Sequence, residues 1–514
     1  MRAEKANLSL RTICPWVIIT LVAVGPARGQ RQRPAVPSPL TPALSAVRPE
    51  VLGAVGGFLS DSLLHGRVPG TPGGTLAARF LAAQFRTLGL TPAGAGGTFF
   101  QPVPLIRVRA RPSIVLGAGR ETFTPKSPDE IVLWPLGTDS TVNMDGELVF
   151  AGFGIEAPEF GWDDYKGVPQ TGRIVMVLAG DPSQFDSTTS NDHRTGPYSN
   201  WTYKLDEAAK MGAAGVLIIH SADATGLSWS ALAGPLAGDH LWLEPRPASG
   251  SLKFAAWIRE DLAKKLLQAA GRDYPLLRRR ALRPEFSPLS TGIHAAIDID
   301  IDVSRSQGLN VVARMDGTDS TARGEPVIIA APYVRLGTDA TFWRDSGSTV
   351  ADETAGVATL LATAAGVTRL TPSPRRPILF VATAGRPGAE VFTAAMQSAR
   401  QRPVAVLHLE GSPPHGVSSL TTLGADRSSL GDIALSAAQA EGVVLETPAG
   451  SQADFLTAGA YPYTLAGPPA LDFRPDGSPR TGRLVLRMAW LLANGTQFPT
   501  WLPGMETLRV PQTP

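Results

Sequence analysis

The chain has 514 residues, of which 43% are hydrophobic and 18% are charged, so it is typical of a globular protein and not of a disordered one. Its formal net charge is +2. Removal of residues 1–29 would take away four basic residues and one acidic residue and change this charge to about −1, which excludes a broad basic field for nucleic acid or an anionic membrane.

Residues 1–29 have the features of a cleavable signal peptide. Basic residues precede the apolar stretch "ICPWVIITLVAVG", which is short for a membrane span, and small residues precede an expected cut before Gln30. An uncleaved N-terminal anchor is the alternative. Because the only cysteine, Cys14, lies in this stretch, the mature protein would hold no thiol for a disulfide, a zinc site or a nucleophile. We therefore predict a secreted or periplasmic protein without a membrane partner after cleavage.

The first part of the mature chain reads as a flexible lead-in followed by helices. Residues 30–47 are rich in proline, which predicts a flexible segment. In "TPGGTLAARFLAAQFRTLGL" apolar residues recur at helical spacing and Gly89 marks a stop. From about residue 138 short strands and turns dominate, with a helix predicted from Thr202 to Met211 and a buried strand from Gly215 to His220.

The second half alternates strands with helices. After a helix near 259–271 and the alternating strand "HAAIDIDIDV", apolar strands such as "VIIAA", "PILFVATA" and "VAVLHLEG" alternate with helices such as "AGVATLLATAAGV". This pattern is typical of a sheet that is covered by helices on both faces. In such sheets function lies at the carboxyl ends of the strands, yet "VIIAA" leads into Pro-Tyr-Val-Arg, which offers no carboxylate or imidazole.

Several long strings resemble one family. The chain is similar to the co-catalytic zinc exopeptidases of the bacterial aminopeptidase and glutamate-carboxypeptidase-II type that carry a protease-associated insert. The resemblance implies a three-layer α/β/α core with a mixed, mostly parallel sheet and an inserted strand-rich α+β domain. The implied domains are a peptidase-like part at 48–137, the protease-associated insert at 138–285 and the rest of the peptidase-like core at 286–514. The matching strings include "DSLLHGRVPGTPGGTLAARFLAAQFRTLGLTPAG", "GFGIEAPEFGWDDYKGV", "WTYKLDEAAKMGAAGVLIIHSA", "ADETAGVATLL", "RRPILFVATAG" and "GADRSSLGDI".

The family's chemistry requires two zinc ions about 3.5–4 Å apart, with a bridging carboxylate and water and a nearby glutamate as general base. The resemblance places the ligands and the base at five strand ends. At most of these positions the chain has residues that can neither bind zinc nor accept a proton. Pro332 and Val334 occupy the positions of a His-x-Asp pair, and Arg386 and Pro387 occupy those of a Glu-Glu pair. Asp352 keeps the bridging position, and Glu410 replaces an aspartate. Ala453 occupies the position of a late histidine, although a shift of one residue in this loop would place Asp454 there instead.

Two interpretations of the remaining polar residues stay open. His408 and Glu410 are two apart on a strand and share a face, so with Asp352 they form a candidate one-metal site. In the other interpretation His408 makes a local hydrogen bond, Asp352 caps the helix from Thr354, and Glu410 pairs with Arg386 or Arg335. We favour the second, since a catalytic metal also needs a base and an open position.

These assignments favour an exported, non-catalytic pseudopeptidase that binds a peptide or a protein and has no cofactor. Arg335 and Arg386 would make its old metal pocket favour anions such as a peptide carboxylate. The alternative is an active zinc exopeptidase with a rebuilt one-metal site. A structural envelope protein that uses only the insert is a weaker third hypothesis. The sequence leaves the oligomeric state open.

Overall fold

A computed structural model describes residues 40–185, 197–225, 227–244, 250–334, 354–411, 419–447, 459–503 and 505. The predicted signal peptide and the candidate residues Arg335, Asp352 and Ala453 lie outside these ranges. The described residues belong to one unit, Pro39–Pro514. Within them, no helix combines the length and the apolar character that a membrane span requires.

The helices are α1 Leu40–Ala46, α2 Pro49–Leu59, α3 Pro72–Thr87, α4 Trp201–Lys210, α5 Ala222–Thr225, α6 Trp229–Leu236, α7 Glu260–Ala269, α8 Tyr274–Ala281, α9 Ala355–Val367, α10 Gly385–Ser398, α11 Leu430–Glu441, α12 Tyr461–Thr464 and α13 Pro479–Asn494. The strands are β1 Thr91–Pro92, β2 Phe100–Ala118, β3 Glu121–Phe123, β4 Ile131–Pro135, β5 Thr141–Phe150, β6 Glu156–Ala157, β7 Trp162–Asp163, β8 Ile174–Leu178, β9 Gly215–His220, β10 His240–Leu243, β11 Phe254–Arg259, β12 Leu289–Met315, β13 Val327–Pro332, β14 Ile378–Thr383, β15 Ala405–Leu409, β16 Ser419–Leu423, β17 Val444–Glu446 and β18 Ala470–Phe473.

One half of the main sheet has the strand order β17-β16-β18-β15-β13-β14-β12. Strands β14, β13, β15 and β18 are parallel, whereas β12 and β16 run antiparallel to their neighbours β14 and β18. Ile329 of β13 packs in a core with α9, α11 and α13, while the adjacent Ile328 and Ala330 pack on the other face with α10 and α12. Burial on both faces explains the continuous apolar runs. The predicted α/β/α core with a mixed, mostly parallel sheet is confirmed.

Two long strands carry the chain from this core into a second one. β2 and β12 pair antiparallel from Phe100↔Val311 to Ala118↔Ile293. The sheet continues beyond β12 as β5-β8-β9-β11-β4 around a separate set of buried residues. Along β12 alternate residues from Ile293 to Ile301 are buried, as the "AIDIDID" pattern predicts. β4 pairs with β11 in this half, although the sequence places residues 131–135 before the expected insert.

A buried lysine forms hydrogen bonds with two loops of this second half. Lys204 on α4 is fully buried and donates hydrogen bonds to the carbonyl oxygens of Phe153 (2.6 Å) and Gly180 (2.7 Å). Nearby Asp164 accepts from two backbone amides and from the indole of Trp162. Burial lowers the pKa of Lys204 to about 8 and raises that of Asp164 to about 7. The charges of Asp181 and Asp164 act against the lowering of the Lys204 pKa, and the charge of Lys204 acts against the rise of the Asp164 pKa.

The lead-in that was predicted to be flexible is partly ordered. α1 occupies residues 40–46, and both Ala43 and Val47 are completely buried. They pack into the first core against α9 and α13. The contact is so close that a Cβ on Gly366 of α9 would lie 2.8 Å from the Ala43 carbonyl oxygen. Apolar contacts made over more than 300 residues of sequence order this segment, and a local proline count cannot detect them.

Candidate functional site

The carboxyl ends of β13, β14, β15 and β18 meet at one edge of the sheet, which we call the strand-end surface. β13 delivers Pro332 and Val334 to this edge. Val334 is 9% exposed and packs in the first core, as does Tyr333, whose hydroxyl donates to the Leu309 carbonyl oxygen at 2.5 Å. The Tyr333 carbonyl in turn accepts a hydrogen bond from Arg67 at 2.7 Å. This strand end is held by core packing and presents no side chain that binds metal.

β14 leads into α10, whose first turn carries Arg386 and Pro387. The turn is held by the buried Asn310, which accepts from the Ala384 amide (2.9 Å) and donates to the Gly388 carbonyl oxygen (2.8 Å). Pro387 is buried, so it cannot expose a reactive group.

The guanidinium of Arg386 lies against its own helix. Arg386 Nε donates to Glu390 Oε1 at 3.3 Å, and the guanidinium carbon lies 6.0 Å from the centre of the Tyr461 ring. The structure thus pairs Arg386 with Glu390 rather than with Glu410, the partner that one interpretation of the sequence proposed. Glu390 itself lies within helix α10.

β15 and β18 bring together the buried His408 and Asp472 with the partly buried Glu410, and we call these three residues the His–Asp–Glu cluster. His408 and Asp472 are direct neighbours in the parallel ladder, and His408 Nδ1 lies 3.0 Å from Asp472 Oδ1. One ligand atom from each of the three residues lies within 4.8 Å of the other two. His408 is 2% exposed and Asp472 0%. The sequence places His408 and Glu410 together correctly, but it misses Asp472, whose only signal is an acid inside the apolar strand "ALDF".

Burial and mutual charge set the protonation of the cluster. Burial first, and then the charge of Asp472, raises the pKa of Glu410 to about 8. Burial alone would lower the pKa of His408, but the charge and hydrogen bond of Asp472 outweigh it and the pKa is raised. Burial acts against the charged form of Asp472 as well, yet His408 holds its pKa below the ordinary value. At neutral pH the cluster therefore favours a protonated Glu410 next to an ionised Asp472.

The second carboxylate oxygen of Asp472 has no hydrogen-bond donor among the described residues, and a protonated Glu410 is the group near it that could supply one. Within the described residues Asp472 Oδ2 is buried and meets no amide or hydroxyl donor. Glu410 is the acid that carries the proton, because burial and the charge of Asp472 raise its pKa, whereas the pKa of Asp472 is lowered. His408 thus contacts Asp472 directly, and the charge of Asp472 acts on the neighbouring Glu410.

Glycine backbone packs closely over the cluster. The Gly459 amide donates to Glu410 Oε2 at 3.0 Å, and a Cβ at this position would lie 2.3 Å from His408 Cε1. The ring of Tyr463 lies 5.8 Å from that of His408, centre to centre. On the other side Gly356 of α9 packs on the Leu409 carbonyl oxygen, at a distance that leaves no room for a side chain. These contacts hold His408 and Glu410 in place, while Glu410 itself remains partly exposed.

The described strand-end positions do not fit two zinc ions. Among Pro332, Val334, Arg386, Pro387 and Glu410, only Glu410 offers a ligand atom, and Arg386 is a fixed cation. The His–Asp–Glu cluster has three donor groups of the right kind for a single ion. Zinc requires donor atoms about 2.0–2.2 Å from the metal, with His408 unprotonated at the ring nitrogen that binds and Glu410 ionised. The raised pKa values of both groups oppose that state.

Comparison with known proteins finds likeness at the level of structure. No family model matches the chain, and no curated protein matches its sequence. An aminopeptidase from Aneurinibacillus sp. strain AM-1 superposes with a TM-score of 0.54 at 16% identity, over 88% of this chain and 96% of that one. This likeness confirms the predicted zinc-exopeptidase-like fold.

Two further solved structures resemble the chain with lower TM-scores. A peptidase M28 precursor from Shewanella amazonensis SB2B has a TM-score of 0.48 at 16% identity over 90% of this chain and 99% of that one. BSAP, a zinc aminopeptidase from Bacillus subtilis, has a TM-score of 0.46 at 14% identity over 88% and 96%.

Proposed function

We propose that this peptidase-like protein binds a peptide or a protein ligand at the strand-end surface and does not hydrolyse it by two-zinc chemistry. The observation that carries the proposal is the turn from β14 into α10, where the resemblance requires two glutamates and the chain has Arg386 and Pro387. A proline cannot accept a proton, and a guanidinium remains charged at any physiological pH. With Pro332 and Val334 at the end of β13, the chain lacks most of the metal ligands and the general base that the resemblance requires.

The charge at this edge favours an anionic ligand. Arg386 retains 25% side-chain exposure, and its present partner Glu390 is a more exposed carboxylate on the same helix face. An exposed i,i+4 pair of this kind is worth only about 0.3–0.5 kcal/mol, so an incoming carboxylate can compete for the guanidinium. We therefore propose the carboxyl terminus or an acidic side chain of a peptide as the group that Arg386 binds, with Arg335 as a second candidate cation.

Peptide titration tests this proposal. Fluorescently labelled acidic and basic peptides of equal length should differ in affinity for the mature protein, with the acidic peptide bound more tightly. Arg386→Gln should reduce that preference, while Arg400→Gln, which changes an exposed arginine just beyond α10, should leave it unchanged. Equal affinity for both peptides, or a preference for the basic one, would remove the anion proposal.

Metal content tests the loss of the zinc site. The purified mature protein, dialysed against trace zinc, is assayed by elemental mass spectrometry, and we expect less than about 0.1 metal ion per chain. A value near two would show that the mapping of the ligand positions is wrong. We propose that the protein works without a cofactor and is secreted or periplasmic; fractionation of cells that express the full chain tests its location.

A second candidate function is that of a metal-dependent exopeptidase with one ion. It is favoured by the His–Asp–Glu cluster, which brings His408 and Glu410 together and adds Asp472 as a third donor. It predicts about one metal ion per chain and hydrolysis of aminoacyl substrates that a chelator inhibits. Asp352→Ala and His408→Ala should both abolish that activity. Hydrolysis that neither the chelator nor these substitutions affect would exclude this candidate.

A further inference from the structure

A cavity lies on helices α7 and α8, in the half of the sheet that contains β4, β5, β8, β9 and β11. Its volume is about 390 Å³, and its polar and aromatic lining consists of Phe185, Glu260, Lys264, Tyr274, Arg278 and Arg279. None of these residues belongs to the strand-end surface. The volume lies within the range of small-molecule sites.

The carboxylate of this cavity is already fully engaged. Glu260 accepts a hydrogen bond from the Tyr274 hydroxyl at 3.0 Å and pairs with Lys264 at 3.1 Å. Arg278 lies 4.0 Å from the same carboxylate. The lining thus has three cationic side chains and one anionic side chain, which leaves a surplus of two positive charges. An anion with two negative charges would balance this surplus.

Two of the cations are held in place by aromatic rings. The Arg278 guanidinium lies 4.5 Å from the centre of the Phe185 ring, and Lys264 Nζ lies 5.4 Å from that of Tyr274. Because Tyr274 is only 4% exposed, it is a fixed support for Lys264. Cations that are ordered in advance lose less conformational freedom when a ligand binds. The cavity is therefore preorganised to bind an anion.

The third cation is available to a ligand. Arg279 is exposed at the cavity wall, and in the described part of the chain it makes no ion pair with an acidic side chain. The next residue, Arg280, is also exposed on α8 but does not line the cavity. Both residues are exposed arginines on α8, but only Arg279 lines the cavity, so Arg280 is a matched control.

We propose that this cavity binds a small phosphate monoester. Such a group carries a charge of about −1.5 to −2 at pH 7, which matches the surplus of the lining. Its oxygens suit the forked donors of Arg278 and Arg279, and Lys264 adds a point charge. The remaining walls, formed by Leu282, Pro275 and the edges of the aromatic rings, are apolar and would contact the organic part of the ester.

Isothermal titration calorimetry with phenyl phosphate at low ionic strength tests the proposal on the full mature chain. We expect saturable binding with one site per chain, about tenfold weaker in Arg279→Gln and unchanged in Arg280→Gln. Equal losses in the two variants would show non-specific attraction to a basic surface and would overturn the proposal. So would the absence of saturable binding.

Two further probes identify the part of the ligand that is recognised. Inorganic phosphate should bind more weakly than phenyl phosphate, since it lacks the apolar part. Succinate, a dicarboxylate with the same charge, should bind at least several-fold more weakly than phenyl phosphate; equal affinity would overturn the assignment to phosphate. Circular dichroism melting curves of each variant check that a lost affinity does not come from a lost fold. None of these outcomes depends on the proposed function of the strand-end surface.

Discussion

Replacing Glu410 by glutamine should leave the protein about as stable as the original chain near pH 5.5 and remove the loss of stability at higher pH that comes from ionisation of Glu410. Glu410 lies next to Asp472, and burial together with the charge of that aspartate raises its pKa to about 8. The folded protein therefore carries a proton on Glu410 at neutral pH. A glutamine amide has the same shape and can donate to Asp472 Oδ2 in place of that proton.

The size and sign of the pH effect follow from linkage. Between pH 4.5, the ordinary value for glutamate, and about pH 8, the folded state holds a proton on Glu410 that the unfolded state has released. The free energy of unfolding must then fall as the pH rises through this window, by about 3–5 kcal/mol. His408 acts in the same direction, because its pKa is raised and the stability from its charged form is lost above that pKa. Glutamine at 410 removes the contribution of Glu410 and leaves that of His408.

Urea unfolding at pH 5.5, 7.0 and 8.5, with a chelator present, measures this effect in the original chain and in Glu410→Gln. The matched control is Glu390→Gln, which changes a partly exposed glutamate on α10 and should keep the original pH dependence. Parallel pH dependences for Glu410→Gln and the original chain would refute the protonated state of Glu410. A loss of more than about 2 kcal/mol at pH 5.5 would also contradict it, because an isosteric neutral group should be tolerated.

The remaining predictions concern packing, buried charge and metal. Gly459→Ala should lower the free energy of unfolding by about 1–3 kcal/mol, because its Cβ would overlap His408; Gly57→Ala, on an open helix surface, should be neutral or slightly stabilising in the same urea titration. Lys204→Met should cost about 3–5 kcal/mol, because it leaves buried carboxylates and carbonyl oxygens without their cation, whereas the exposed Lys265→Met should change stability by less than about 0.5 kcal/mol. A chelator should leave the melting temperature of the original chain unchanged in calorimetry, and a clear decrease would show that a bound ion contributes to stability.

The sequence by itself was sufficient for the regular elements. The strand predicted from Gly215 to His220 has those bounds in the structure, and the helix predicted from Thr202 to Met211 is α4, shifted by one residue. Periodicity of apolar residues predicts these elements because each strand or helix must bury one face or both. The same patterns predicted the three-layer core, since strands that alternate with helices form a sheet covered on both sides.

The sequence also predicted which strand ends should carry function, and it placed His408 and Glu410 on one face. It could not predict that Asp472 joins them. Asp472 is 64 positions from His408 in the sequence, and the two become neighbours only because β15 pairs with β18. Nor could it assign the proton of Glu410, because the pKa depends on burial and on Asp472 together.

For Arg386 the tertiary structure decided between partners that were equally compatible with the sequence. A glutamate one helical turn away, Glu390, is the partner it pairs with, while Glu410 is engaged by Gly459 and Asp472. Local spacing along a helix or a strand is visible in the order of residues. Which strand ends become neighbours, and how deeply their charges are buried, depends on contacts between distant segments, and these exist only once the chain has folded.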